Sequence, residues 1–132
     1  MSEPKPTWNT GSKYGNKKVS ADGYVFDSKA EYHRYNELKL LLRVGEITDL
    51  KVHPRYEIQK ECNYLGKKIK PIYYEADFEY MTTKAAHLII EDVKGMRTDV
   101  YKLKKKMMLK ILSEGIERNG QIWWPEFIEV MA

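Results

Sequence analysis

A chain of 132 residues is the size of one ordinary domain, and its 42% apolar content argues against wholesale disorder. The net charge of +4 permits a polyanionic partner without specifying one. The single cysteine, Cys62, excludes an intrachain disulfide and a cysteine-based zinc site, and no apolar run approaches the roughly 20 residues needed to span a bilayer.

In chain order, residues 1–12 are polar with Pro4 and Pro6 and read as a flexible arm without the apolar stretch of a signal peptide, so a cytoplasmic protein is expected. Residues 13–132 read as one domain. Lys13, Lys17 and Lys18 lead into a hairpin with arms Lys17–Ser20 and Tyr24–Phe26, turned by Ala21-Asp22-Gly23. A helix from about Ser28 to Val44 follows. Ser28 and Glu31 fit a capping box, Gly45 fits a stop, and Tyr35, Leu38, Leu41 and Leu42 give its buried stripe.

Residues 47–60 read as extended, interrupted by Pro54, and Asn63-Tyr64-Leu65-Gly66 as a hairpin turn. From Ile72 to Met81 the alternation predicts one strand. Tyr74, Ala76, Phe78 and Tyr80 lie on its apolar face; Glu75, Asp77 and Glu79 lie on its polar face. After a turn at Thr82-Thr83-Lys84, Leu88 to Val93 is a short central strand. A second helix is expected from about Asp99 to Ile116, capped by Thr98 or Asp99, with Gly115 or Gly120 near its end. Ile122 to Val130 closes the chain as a strand that Pro125 bends. The expected class is α/β: a single mixed β-sheet flanked by two long helices, with an N-terminal hairpin.

Asp77 falls on one strand, and Asp92 and Lys94 fall two residues apart on the next, so both side chains of that pair leave the same face. Two carboxylates and an ammonium on one patch suit Mg²⁺, which takes oxygen ligands and keeps several waters. Without an ion, Asp77 and Asp92 should repel each other and one should be hard to ionise. Glu31 shares the buried stripe of the first helix, where an unpaired charge is costly, so it is a third candidate ligand.

Blander readings stand beside each of these. Asp92 and Lys94 can be an exposed ion pair, Asp77 one member of a solvated acidic face, and Glu31 the partner of a Ser28 cap. Glu91 should point away from Asp92 and serve the structure. His33, His53 and His87 read as surface or hydrogen-bonded histidines. Trp123 and Trp124 read as packing residues. Lys102, Lys104 and Lys105, with Lys106 and Lys110, make the second helix basic, which fits either a solvated face or nonspecific phosphate contact.

Asp77, followed after a hairpin by Asp92-Val93-Lys94, resembles the PD-(D/E)xK signature of restriction-endonuclease-like nucleases, and Glu31 resembles the extra helix glutamate of that superfamily. Ala76 departs from the pattern by standing where the name-giving proline would be. Over nearly its whole length the chain also resembles a family of short phage proteins long catalogued as a domain of unknown function and placed in this superfamily. That likeness runs through Gly23-Tyr24-Val25-Phe26-Asp27-Ser28, Ala76-Asp77-Phe78, Glu91-Asp92-Val93-Lys94-Gly95 and Tyr101-Lys102-Leu103-Lys104.

The resemblance implies an αβββαβ core and metal-dependent hydrolysis of DNA phosphodiesters. Asp77, Asp92, Glu31 and the Val93 carbonyl would hold Mg²⁺ or Mn²⁺, and Lys94 would act on the water. Lys13, Lys17, Lys18, Lys102, Lys104 and Lys105 are the expected DNA contacts, and a homodimer would ease cleavage of both strands. A phage or prophage enzyme for recombination or replication branches is the expectation. The alternatives are a non-catalytic DNA-binding or packaging accessory with the same fold and a host-directed inhibitor acting through protein contacts.

Overall fold

The computed structural model describes residues 7–9 and 18–132, so Lys13 and Lys17 lie outside the described residues. Within the stretch expected as an arm, Thr7–Asn9 forms β1 and pairs antiparallel with β2 (Lys18–Ala21). β2 pairs in turn with β3 (Tyr24–Phe26) across the Asp22-Gly23 turn. Helix α1 (Lys29–Arg43) begins as its sequence dictates: the Ser28 side chain accepts a hydrogen bond from the Glu31 N–H, which satisfies one of the four amides a helix start leaves open.

β4 (Ile47–Val52) and β5 (Arg55–Gln59) follow, then β6 (Cys62–Tyr64), β7 (Lys67–Ile69) and β8 (Ile72–Glu75). β9 (Phe78–Thr82) and β10 (Leu88–Lys94) precede helix α2 (Asp99–Glu114). β11 (Ile116–Arg118), β12 (Gln121–Trp123) and β13 (Glu126–Met131) complete the chain. The central sheet is mixed, in the order β13-β10-β9-β4. β13 runs parallel to β10, while β9 is antiparallel to both β10 and β4.

The expected single sheet is therefore joined by smaller ones: β1-β2-β3 and the pairs β5-β8, β6-β7 and β11-β12. The strand expected from Ile72 to Met81 is two strands, because the chain changes partners at Ala76-Asp77. Before the break β8 pairs with β5; after it β9 pairs with β4 and β10. At the break the Ala76 N–H donates to the Pro54 carbonyl, and the His53 N–H donates to the Asp77 carbonyl. The expected final strand is likewise divided, since β12 pairs with β11 and β13 with β10, on either side of Pro125.

Helix α2 stops at Glu114, two residues before the expected end. Gly115 takes φ 92°, and a Cβ there would meet Ile122 Cγ2 at 2.6 Å, so only glycine allows the chain to turn so tightly against β12.

Alternation along β10 divides the core in two. Ile89 joins Val19, Phe26, Tyr35, Leu38, Ile47, Phe78 and Tyr80 on the α1 side. Ile90 joins Tyr74, Ala76, Met108 and Leu112 on the α2 side. The helices thus cover opposite faces of the central sheet, and β10 is buried on both, which explains the consecutive apolar residues Leu88-Ile89-Ile90 at its start. Each fully buried Leu or Phe in these clusters stabilises the fold by about 1.5–3 kcal/mol. Among the described residues no helix is long and apolar enough to cross a membrane.

Candidate metal centre

The same alternation sends consecutive acids of β10 to opposite faces. Glu91 goes to the α1 side, where Arg34 holds it through Nε at 2.7 Å and Nη2 at 2.8 Å, and where the Tyr80 hydroxyl donates to it at 2.8 Å. The structural role expected of Glu91 agrees with this. Asp92 goes to the α2 side and is fully buried without a guanidinium. Its Oδ2 accepts from the Tyr74 hydroxyl and its Oδ1 accepts from the Asp77 N–H at 2.9 Å.

Asp77 sits in the break between β8 and β9, half-buried. Its Oδ2 accepts from the Val93 N–H at 2.7 Å. The two aspartates are thus clasped reciprocally, each carboxylate bonded to an amide next to or within the other. Glu31 reaches the same place from the first turn of α1 and is 3% exposed. One of its oxygens accepts from the Asp27 N–H at 3.1 Å and the other meets His53 Nε2 at 2.7 Å. Capping and a place in the cluster therefore coexist at Glu31.

Ligand atoms of Glu31, His53 and Asp77 all lie within 4.8 Å of one another. Asp92 lies outside that tight group, one hydrogen bond behind Asp77. His53 is a hydrogen-bonded histidine, as expected, but sequence reasoning did not place it beside Glu31 and Asp77. It occupies the corner between β4 and β5 at φ 56°, with its ring against Tyr24 and Phe26. The one available signal was its position just before Pro54, at the interruption of an extended stretch. The burial of Glu79 was missed. Alternation placed it on a solvated face, but the β11-β12 hairpin and β5 cover that face, and Arg118 and Tyr56 hold its carboxylate.

Electrostatics separates the cluster from its surroundings. Burial, then the charges of Glu31 and Asp92, push the Asp77 carboxyl up to about 7. Burial also raises Asp92, against opposing hydrogen bonds from Tyr74 and Asp77 and the charge of Lys94. His53 is held above its ordinary value by its hydrogen bond to Glu31. Lys94 lies near enough to both aspartates to oppose these shifts, with its Nζ 4.6 Å from the centre of the Tyr101 ring.

Carboxylate oxygens and one imidazole nitrogen, with an excess of negative charge, suit a divalent cation. The carboxylates fit Mg²⁺, and the nitrogen adds affinity for Mn²⁺ and its neighbours. The lysines of α2 divide by position. Lys102 is exposed, Lys104 donates to the Tyr73 carbonyl at 3.2 Å, and Lys105 is held by Glu129 beside the Phe127 ring. Lys18 is exposed on β2.

The family described as "Protein of unknown function (DUF1064)" matches residues 11–116, well over half of the chain. No curated protein and no solved structure matches it.

Proposed function

The chain belongs to that family, and we propose, from its side-chain geometry and its sequence resemblance, that it is a metal-dependent DNA endonuclease of the restriction-endonuclease-like kind, acting on branched recombination or replication intermediates of a phage or prophage. The observation that carries the reading is the convergence of Glu31, His53 and Asp77, with Asp92 clasped behind, from separate elements and with no guanidinium among them. Such a group is costly to bury in its charged form; His53 and Lys94 offset part of the charge, Asp77 is pushed towards its neutral form, and a divalent cation would supply the remaining compensation. The element order α1, β4, β9, β10, α2, β13 supports the reading as well, because it follows the αβββαβ order that the sequence resemblance implies.

In this reading Asp77, Glu31 and His53 hold Mg²⁺ or Mn²⁺, and the Val93 carbonyl is a further ligand. Asp92 fixes Asp77 through its amide. A bound divalent ion lowers the pKa of its water and neutralises phosphate charge. Lys94, two residues along the same face, orients the attacking water and offsets charge on the phosphate. The Tyr101 ring beneath Lys94 holds its ammonium on that side of the site.

The test is incubation with supercoiled plasmid and with junction, flap, fork, duplex and single-stranded DNA, in Mg²⁺, Mn²⁺ or EDTA. Metal-dependent cleavage should fall by about a thousandfold or more in Asp77→Ala. DNA binding without cleavage in any metal would instead indicate a non-catalytic accessory. Cleavage that persists in Asp77→Ala would dismiss the site.

A further inference from the structure

The pairs β5-β8 and β6-β7 are successive parts of one long hairpin, closed by the turn Leu65-Gly66. Its base is the Glu31–His53–Asp77 cluster itself. His53 and Pro54 lead directly into β5, and Ala76 and Asp77 lead directly out of β8. Beyond the bulge between Glu57 and Gln59 the ribbon leaves the body, and residues 60–68 and Lys70 are all exposed. A two-stranded ribbon exposed on both faces buries no core of its own and contributes little to stability, so its composition answers to something other than folding.

That composition is basic. Residues 60–70 carry Lys60, Lys67, Lys68 and Lys70 against a single acid, Glu61. Lys68 pairs with Glu61 at 2.9 Å, in an exposed contact of small energetic value. Among the described residues Lys60, Lys67 and Lys70 have no carboxylate partner. The tip is apolar and strained: Leu65 is 89% exposed at φ 48° and Tyr64 is 66% exposed. Gly66, at φ 78°, suits a tight hairpin turn, whereas a leucine in the left-handed region is disfavoured and Asn, Asp or Gly would be the ordinary choice before it.

At the root, Arg55, Tyr73, Tyr74 and Glu75 of the ribbon face Thr98, the cap of α2, and Tyr101 and Lys104 within it across a groove of about 350 Å³. Arg55 there lies over the Tyr73 ring, 4.3 Å from its centre. The groove borders the residues that contact Asp92 and Lys94.

We propose that the β5–β8 ribbon is a nucleic-acid arm: its lysines lie along the phosphates of a duplex leading to the metal centre, and Tyr64 and Leu65 at its tip contact the bases. A two-stranded ribbon has the width to enter the major groove. At about 3.3 Å per residue the arm reaches at most roughly 30 Å from Arg55 to Tyr64, close to one turn of B-form DNA. The choice of DNA as the polyanion rests on the nuclease reading; the basic arm itself does not.

The experiment measures binding in EDTA, with cleavage scored separately in Mg²⁺ on the same preparations. A fluorescent duplex and a four-way junction are titrated over a range of salt with the wild-type chain and with K60Q/K67Q/K68Q/K70Q, whose changes are all at exposed positions. The variant should bind at least about tenfold more weakly, with a salt slope smaller by roughly 2–4. Leu65→Asn should weaken binding while leaving that slope unchanged. A fluorophore on Cys62, the chain's only cysteine and exposed on β6, should change its emission when duplex is added. Unchanged affinity and slope in the lysine variant, or a silent Cys62 label on bound DNA, overturns the arm. So does a ribbon that joins two copies of the chain, seen as a dimer that Leu65→Asn converts to monomer with DNA affinity intact. Ribbon-dependent binding without cleavage leaves the arm standing and removes the hydrolytic reading. Cleavage with binding that ignores the ribbon does the reverse.

Discussion

Glu79 and Glu91 are buried as deeply as Glu31 and Asp92, yet the two sets are treated in opposite ways. Towards the middle of the sheet each acid meets a guanidinium. Arg118 grips Glu79 through both terminal nitrogens, at 2.6 and 2.7 Å, and Arg34 grips Glu91 through two of its own. At the end where β8 and β9 part, Glu31, Asp77 and Asp92 meet a histidine, a tyrosine, backbone amides and each other. The first region is electrostatically complete. The second has no guanidinium and is offset only by His53 and the nearby charge of Lys94, and this contrast separates the two sets of buried acids.

The sharpest way to break the contrast is to remove one guanidinium. Arg34→Ala leaves Glu91 buried and unpaired, and should cost about 3–5 kcal/mol in denaturant unfolding. A cost near zero would mean that Glu91 is not dependent on its partner, and the distinction between the regions would dissolve. A smaller effect is expected at the other end. His53→Gln should weaken Mn²⁺ binding about 10–100-fold by calorimetry, or roughly 1.4–2.8 kcal/mol. The exposed His87, changed in the same way, should leave it unaltered.

How much of this contrast the sequence disclosed follows the range of each interaction. Ser28, Glu31 and the leucine spacing reveal α1 because caps and helical faces are local, and the alternation of Asp92 and Lys94 reveals a shared face for the same reason. The guanidinium partners are not local: Arg34 and Glu91 are 57 residues apart and Arg118 and Glu79 are 39 apart. No period or motif links them. Glu79 alternates as a solvent-facing residue should, and only the arrival of β11-β12 buries it. The break at Ala76-Asp77 is equally silent, since both halves alternate normally and the change of partner is a property of the assembled sheet.

The smallest test sharpens the comparison by sign. Asp77 is raised from 3.8 to about 7, so the folded, metal-free chain holds a proton that the unfolded chain releases. Its stability in EDTA should therefore decline as pH rises from about 4 to about 7, and Asp77→Asn should flatten that decline. Burial raises Glu79, but the hydrogen bonds from Arg118 and Tyr56 outweigh it and hold the carboxyl below its ordinary 4.5. Its contribution is present above that value and should be lost as pH falls through and below it, a slope that Glu79→Gln removes. Denaturant midpoints across the pH range measure both, and slopes of one sign at both acids would refute the division.

The reciprocal clasp of Asp77 and Asp92 has a further consequence. Each carboxylate is anchored to a peptide N–H, of Val93 in one case and of Asp77 in the other, so the spacing between the acids is an attribute of the main chain. Side chains that do not touch the pair can be exchanged without altering that separation, provided the strand register and the Tyr74 hydroxyl bond to Asp92 survive. A scaffold wired in this way can drift far in sequence while its acidic pair stays in place.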